Sequence, residues 1–151
     1  VARTIGTAIA GCCRNWRISD GFMPPSEQPE LRVGADDAVE IEPELAARAR
    51  ANLLRQDADN VTVIEGDGAR GWPAQAPYDA IVLSGSVADI PEALLQQLKV
   101  GGRLMAVVGE APLMQARLVT CVAEGRFQSV NLFETSIPRL RNVPERGKFV
   151  F

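Results

Sequence analysis

The chain has 151 residues, 46% of them hydrophobic, a formal charge of -3 and no histidine. That is enough for one globular domain with a single core, and the mildly acidic balance excludes general attraction to nucleic acid or anionic membrane. The missing histidine removes the commonest general base, the Ser-His and Cys-His nucleophile pairs and most zinc sites, so chemistry with little proton transfer and no metal is expected.

Residues 1–37 hold no sustained period of either 2 or 3.6. Ala8 to Cys13 is a strand or a buried helical turn; the rest, with Pro24, Pro25 and Pro29, reads as loop. Arg3 interrupts the short apolar opening and no cleavage pattern follows, so it is not read as a signal peptide. No apolar run nears the roughly 20 residues that span a bilayer. Cys12, Cys13 and Cys121 are an odd set, and adjacent cysteines rarely pair, which fits a reducing cytoplasm.

From residue 38 the pattern becomes regular, and 38–151 is read as one α/β domain. In Ala38-Val39-Glu40-Ile41-Glu42 an apolar strand ends on an acid. Glu44 to Gln56 reads as a helix, with Leu45, Ala49 and Leu53 at i, i+4, i+8. Pro43 suits its first position, and Glu42 and Glu44 complement its dipole. Val61 to Glu65 is a strand and Gly66 to Pro73 a loop that Gly66 and Gly68 allow to bend. Tyr78 to Leu83 is a strand buried on both faces, ended by Ser84-Gly85-Ser86.

Pro91 to Lys99 reads as a helix, and Gly101-Gly102 turns into the strand Arg103 to Val108. Short links between strands and helices predict a parallel sheet with crossovers. Arg117 to Val122 and Phe127 to Phe133 are separated by four residues and predict a closing antiparallel hairpin. Phe127, Val130 and Leu132 are expected to bury surface there. Lys148 to Phe151 would add a last short strand, and Arg139, Arg141 and Arg146 read as solvated surface.

Ligands of parallel α/β sheets sit at the carboxyl ends of the strands. Glu40 stands at one such end and Asp67 at the next, in Gly66-Asp67-Gly68. One acid can accept from two ribose hydroxyls and the other can reach an adenine, so the pair points to a nucleoside-containing cofactor.

Residues 38–151 resemble the protein-L-isoaspartate O-methyltransferases. The resemblance lies in Val39-Glu40-Ile41-Glu42-Pro43-Glu44-Leu45, Gly66-Asp67-Gly68, Arg70-Gly71-Trp72-Pro73, Tyr78-Asp79-Ala80-Ile81-Val82 and Lys99-Val100-Gly101-Gly102-Arg103-Leu104. It implies an S-adenosylmethionine-dependent, Rossmann-like sheet with a C-terminal antiparallel hairpin, incomplete here. It also implies methylation of the free carboxylate of isoaspartyl residues in damaged proteins or peptides. That carboxylate is already ionised at pH 7, so transfer needs alignment and desolvation but no base.

By the same resemblance Glu40 takes the ribose, Asp67 with Gly68 the adenine, and Ser84, with Gly85 and Ser86, follows the strand end where donor meets acceptor. Trp72 packs. No catalytic residue is assigned. The family's glycine-rich loop, roughly 20 residues before the ribose acid, would fall in Ile18 to Met23, where only Gly21 is glycine. Thr4-Ile5-Gly6-Thr7 echoes it too far upstream, and Ser26 stands in an unrelated context. A truncated or frame-disturbed version of the gene is the hypothesis that would account for this mismatch. The alternatives are a non-catalytic nucleoside- or partner-binding domain of the same fold, or a small-molecule methyltransferase. No nucleic-acid or membrane partner is expected, and the oligomeric state is open.

Overall fold

The computed structural model describes residues 8–11 and 36–143. Among them, seven strands form one sheet in the order β3-β2-β1-β4-β5-β6-β7. They are β1 (Ala8–Gly11), β2 (Asp36–Glu40), β3 (Val61–Glu65), β4 (Tyr78–Val87), β5 (Leu98–Glu110), β6 (Leu113–Ala123) and β7 (Arg126–Glu134). The helices are α1 (Pro43–Arg55) and the one-turn α2 (Glu92–Leu95).

Pro43 opens α1 with its φ already helical, and the missing proline N–H is one the first turn could not use. Ala46 is the buried contact of its inner face. Arg50 fastens the helix to β3: Nη1 donates to the Glu65 carboxylate at 2.6 Å and Nη2 to the Val63 carbonyl at 3.0 Å. β2 and β3 run parallel across this helix, with Glu40 opposite Glu65.

The core lies on β4, β5 and β6. Ile81, Leu83, Val87, Leu94, Leu104 and Ala106 are each at most 3% exposed, and Trp72 packs against the cluster, as expected of it. β4 and β5 are parallel, β5 and β6 antiparallel, and β6 and β7 form the closing hairpin.

Several boundaries differ from the sequence reading. The helix expected over Pro91 to Lys99 stops at Leu95, and the next strand starts at Leu98 rather than Arg103. Gln97 is the cause. Its carbonyl takes the Tyr78 N–H at 2.7 Å, which begins the β4 pairing before a second helical turn could form. Ser84-Gly85-Ser86 does not end β4, which runs on to Val87; the β5 pairing instead breaks register between Val82 and Ser86.

The hairpin arms are longer than expected, and only Phe127 joins the core. Val130 and Leu132 are 55% and 43% exposed, because β7 is an edge strand with no layer packed over them. Of Ala8 to Cys13, residues 8–11 are a strand that runs antiparallel to both β2 and β4. Cys12, Cys13, Ile18 to Met23, Ser26 and Lys148 to Phe151 lie outside the described residues.

Candidate functional site

β2, β3 and β4 deliver their carboxyl ends to one edge of the sheet. Glu40 is the last residue of β2 and Asp67 lies two residues past β3. Ser84 follows Leu83, which pairs through Ala8 of β1 with Val39. Two strand spacings therefore separate the Glu40 and Ser84 positions, about 10 Å. The structure thus brings Glu40, Asp67, Gly68 and Ser84 to a common edge.

Their environments differ. Glu40 is 1% exposed, and one carboxylate oxygen accepts the Glu42 N–H at 3.0 Å. Glu65, its register partner, is exposed and turned to Arg50, so it does not compete for the edge. Asp67 is exposed, and its Oδ1 accepts the Ala69 N–H at 2.9 Å, capping a short 3-10 turn over Gly68–Arg70. Gly68 is buried beneath it.

The loop bends at Gly66, as expected of it. Neither Gly66 nor Gly68 has a positive φ. Gly66 also leaves room for the Trp72 ring, which a Cβ there would meet at 3.2 Å.

Ser84 is half-buried in the irregular stretch of β4. Ser86 is 1% exposed and serves the fold: its Oγ donates to the Ile137 carbonyl at 3.2 Å. Its N–H donates to Pro138 O and its carbonyl accepts from Leu140 N–H, both at 2.9 Å. These bonds lay residues 135–143 as a strap across the edge. Leu140 sits so close to Gly85 that a Cβ there would stand 2.7 Å from the Leu140 nitrogen, so only glycine fits.

The strap ends over the acids. Arg141 pairs with the Glu42 carboxylate, and Asn142 Nδ2 donates to Asp67 Oδ2 at 3.0 Å. Sequence reading missed these contacts. Its only signal was the group Arg139, Arg141 and Arg146; Arg141 is indeed exposed, yet it makes this ion pair. Gln97 was missed as well. It is 7% exposed, accepts the Trp72 N–H, and donates to the carbonyls of Arg70 and Ala93. It thereby ties the loop after Asp67 to α2.

A cleft of about 590 Å³ opens further along, past the end of β4, lined among others by Ala88, Asp89, Val108, Arg117 and Glu134. It contains none of Glu40, Asp67, Gly68 or Ser84. The acids and the cleft are therefore separate features of the sheet.

Chemically, the edge offers two carboxylates at the ends of adjacent parallel strands. Both are acceptors, matched to ligand groups that donate: two vicinal hydroxyls and an amine. Burial of Glu40 strengthens any hydrogen bond it accepts.

A sequence profile of the family Protein-L-isoaspartate(D-aspartate) O-methyltransferase (PCMT) matches residues 32–136. The protein-L-isoaspartate O-methyltransferase of Hyperthermus butylicus is 42% identical over 108 residues, 71% of this chain and 45% of that protein. Protein-L-isoaspartate O-methyltransferase 1 of an Anaeromyxobacter species is 43% identical over 111 residues, 73% of this chain and 50% of that protein. The chain thus spans about half the length of these relatives.

A solved protein-L-isoaspartate O-methyltransferase superposes with a TM-score of 0.61 at 28% identity, over 67% of this chain and 32% of that one. A second, from Plasmodium falciparum in complex with S-adenosyl-L-homocysteine, has a TM-score of 0.59 at 20% identity, over 68% and 50%. The second likeness shows the fold alone.

Proposed function

This chain belongs to the protein-L-isoaspartate (D-aspartate) O-methyltransferase family, and from that premise we propose that its strand-end edge is the donor site of a protein carboxyl methyltransferase. The carrying observation is the pair Glu40 and Asp67, two acceptors at the ends of adjacent parallel strands. S-adenosylmethionine fits that set: Glu40 would take the ribose hydroxyls, Asp67 the adenine amine, with Gly68 and Ser84 beside them. When bound, it supplies a methyl group on a positively charged sulfur.

The acceptor is the free carboxylate of an isoaspartyl residue in a damaged protein or peptide. It is anionic at neutral pH, so a chain without histidine lacks nothing it requires for proton removal. What remains for the protein is to orient and to exclude water. The open cleft past the end of β4 would give the acceptor its approach, and the strap of residues 135–143 covers Ser86 at the edge. No helix among the described residues is long and apolar enough to cross a membrane. The odd set Cys12, Cys13 and Cys121 is the ground on which we place the reaction in a reducing cytoplasm.

Titration calorimetry with S-adenosylhomocysteine tests the donor site. Glu40→Ala should weaken binding by about 1.5–3 kcal/mol, the range for hydrogen bonds to charged groups. Glu44→Ala, an exposed first-turn acid of α1, should change it little. Equal effects of the two substitutions would sink the assignment.

A further inference from the structure

Asp67 is exposed on a loop, yet both its oxygens are held: Oδ1 by the Ala69 N–H at 2.9 Å, Oδ2 by Asn142 Nδ2 at 3.0 Å. The first bond is local. The second comes from 75 residues away in the chain, so it exists only because the strap crosses the edge. Asn142 is also not on a loose tail. Leu140, two residues earlier, is 3% exposed and bonded to Ser86.

Asn142 takes φ 59°, a left-handed conformation that asparagine tolerates better than most residues. That turn is what aims its amide back at the loop. A carboxylate has about four acceptor positions, so two internal bonds fix its orientation and still leave each oxygen able to accept again.

We propose that Asn142 is a positioning residue for the donor site: it locks the Asp67 carboxylate in the orientation that receives the exocyclic amine of an adenine, and so sets a preference for amino- over oxo-purines. The inference rests on the donor-site reading above. A carboxylate already immobilised loses no rotamer freedom when the ligand arrives, which is the general gain from preorganisation. Arg141, one residue before, serves as the comparison. Its ion pair with Glu42 is exposed at both ends, and pairs of that kind contribute little.

The test is calorimetric titration of the full chain with adenosine and with inosine, which lacks the amine. Asn142→Gly removes the amide without a φ penalty, and Asn142→Asp keeps the shape while replacing the donor with an acceptor. Both should weaken adenosine binding, the glycine variant by about 3- to 10-fold, the equivalent of one freed side chain. Inosine binding should be unchanged, as should both titrations of Arg141→Ala. In an Asp67→Asn background, Asn142→Gly should have no further effect, since it acts through that carboxylate.

Amide exchange at Leu140 reports whether the strap stays in place in each variant. Equal losses for adenosine and inosine would make Asn142 merely structural, and tighter adenosine binding would make it a competitor; either overturns the proposal. Unaltered adenosine binding in both variants overturns it alone. Failure of the wild-type chain to bind adenosine or S-adenosylhomocysteine removes the donor-site reading and this inference with it.

Discussion

At the amino end of β2, opposite the edge that carries Glu40, Asp36 and Asp37 stand side by side. Burial pushes the Asp36 carboxyl above its ordinary 3.8, and the neighbouring Asp37 charge adds to it; burial also raises Asp37. Asp36 Oδ1 is enclosed without a hydrogen-bond partner. A carboxyl whose folded pKa is raised holds its proton longer folded than unfolded. Its contribution to stability is therefore complete below 3.8 and is lost as pH rises through the folded value. Asp36→Asn should accordingly raise Tm at pH 7, and the gain should shrink as pH falls through the raised folded value and be gone below about 3.8. Melting curves between pH 3 and 7 check this; a gain independent of pH would mean the charge is not the cause. Tyr78 follows the same sign at the other extreme. Burial, with a smaller part from Asp37, pushes its phenol up to about 12 from 10, and its hydroxyl donates to Trp72 O at 2.6 Å. Stability that depends on the neutral phenol is lost from pH 10 upward.

Among the elements, the one-turn helix α2 and the loop after β3 depend on a single side chain. Gln97 replaces three backbone partnerships that no regular structure supplies there, and a Cβ on Gly71, at φ 76°, would stand 2.4 Å from its Oε1. Gln97→Leu keeps the volume but leaves the Trp72 N–H and two carbonyls unsatisfied, at about 1–3 kcal/mol for each buried group. A stability loss of about 2–4 kcal/mol in urea unfolding is expected, and a loss below about 0.5 kcal/mol would show that water satisfies these groups. Gln97 also shows where sequence reading failed. Local patterns carried α1, β3 and the β6–β7 hairpin, because the apolar spacing and turn residues for each lie within the element itself. The acids Glu40 and Asp67 were legible for the same reason: each ends a local apolar run. The shortening of α2, the extension of β4 past Ser84 and the strap were not. They depend on bonds from Gln97 to Tyr78 and from Ser86 to Pro138 and Leu140, whose far partners no window of sequence contains. Val130 and Leu132 were misassigned because alternation says which residues share a face, and only the sheet's outer position says that nothing covers it.

For the whole molecule, the direction of β1 decides how much of the chemistry this chain can perform. β1 lies between β2 and β4 but runs against both, with Ala8 beside Val39 and Leu83 and Gly11 beside Asp36 and Ala80. It enters the sheet at the edge where Glu40 and Ser84 lie and leaves at the opposite edge. In a Rossmann-like unit, the turn that leaves the first strand at its carboxyl end is the one that cradles the ligand. Here β1 ends at Gly11 on the opposite side of the sheet, and no Gly-x-Gly-x-Gly occurs in residues 1–37. The acids proposed above for the nucleoside come from β2 and the loop after β3, so they are unaffected; alignment of the donor's far end is not secured. Misplacement by a single ångström can cost about 100-fold in rate. We therefore expect binding of S-adenosylhomocysteine by this chain but little or no methyl transfer to an isoaspartyl peptide. Joining a family-type N-terminal segment at Val39, with its glycine-rich loop and a first strand parallel to β2 and β4, should raise transfer by at least about 100-fold. The gain should be selective for the isoaspartyl over the matching aspartyl peptide. A radiolabelled-methyl assay on both chains measures this. Clear turnover by the unmodified chain would falsify the argument from β1, because it would require a donor cradle built by something other than a turn leaving a parallel first strand.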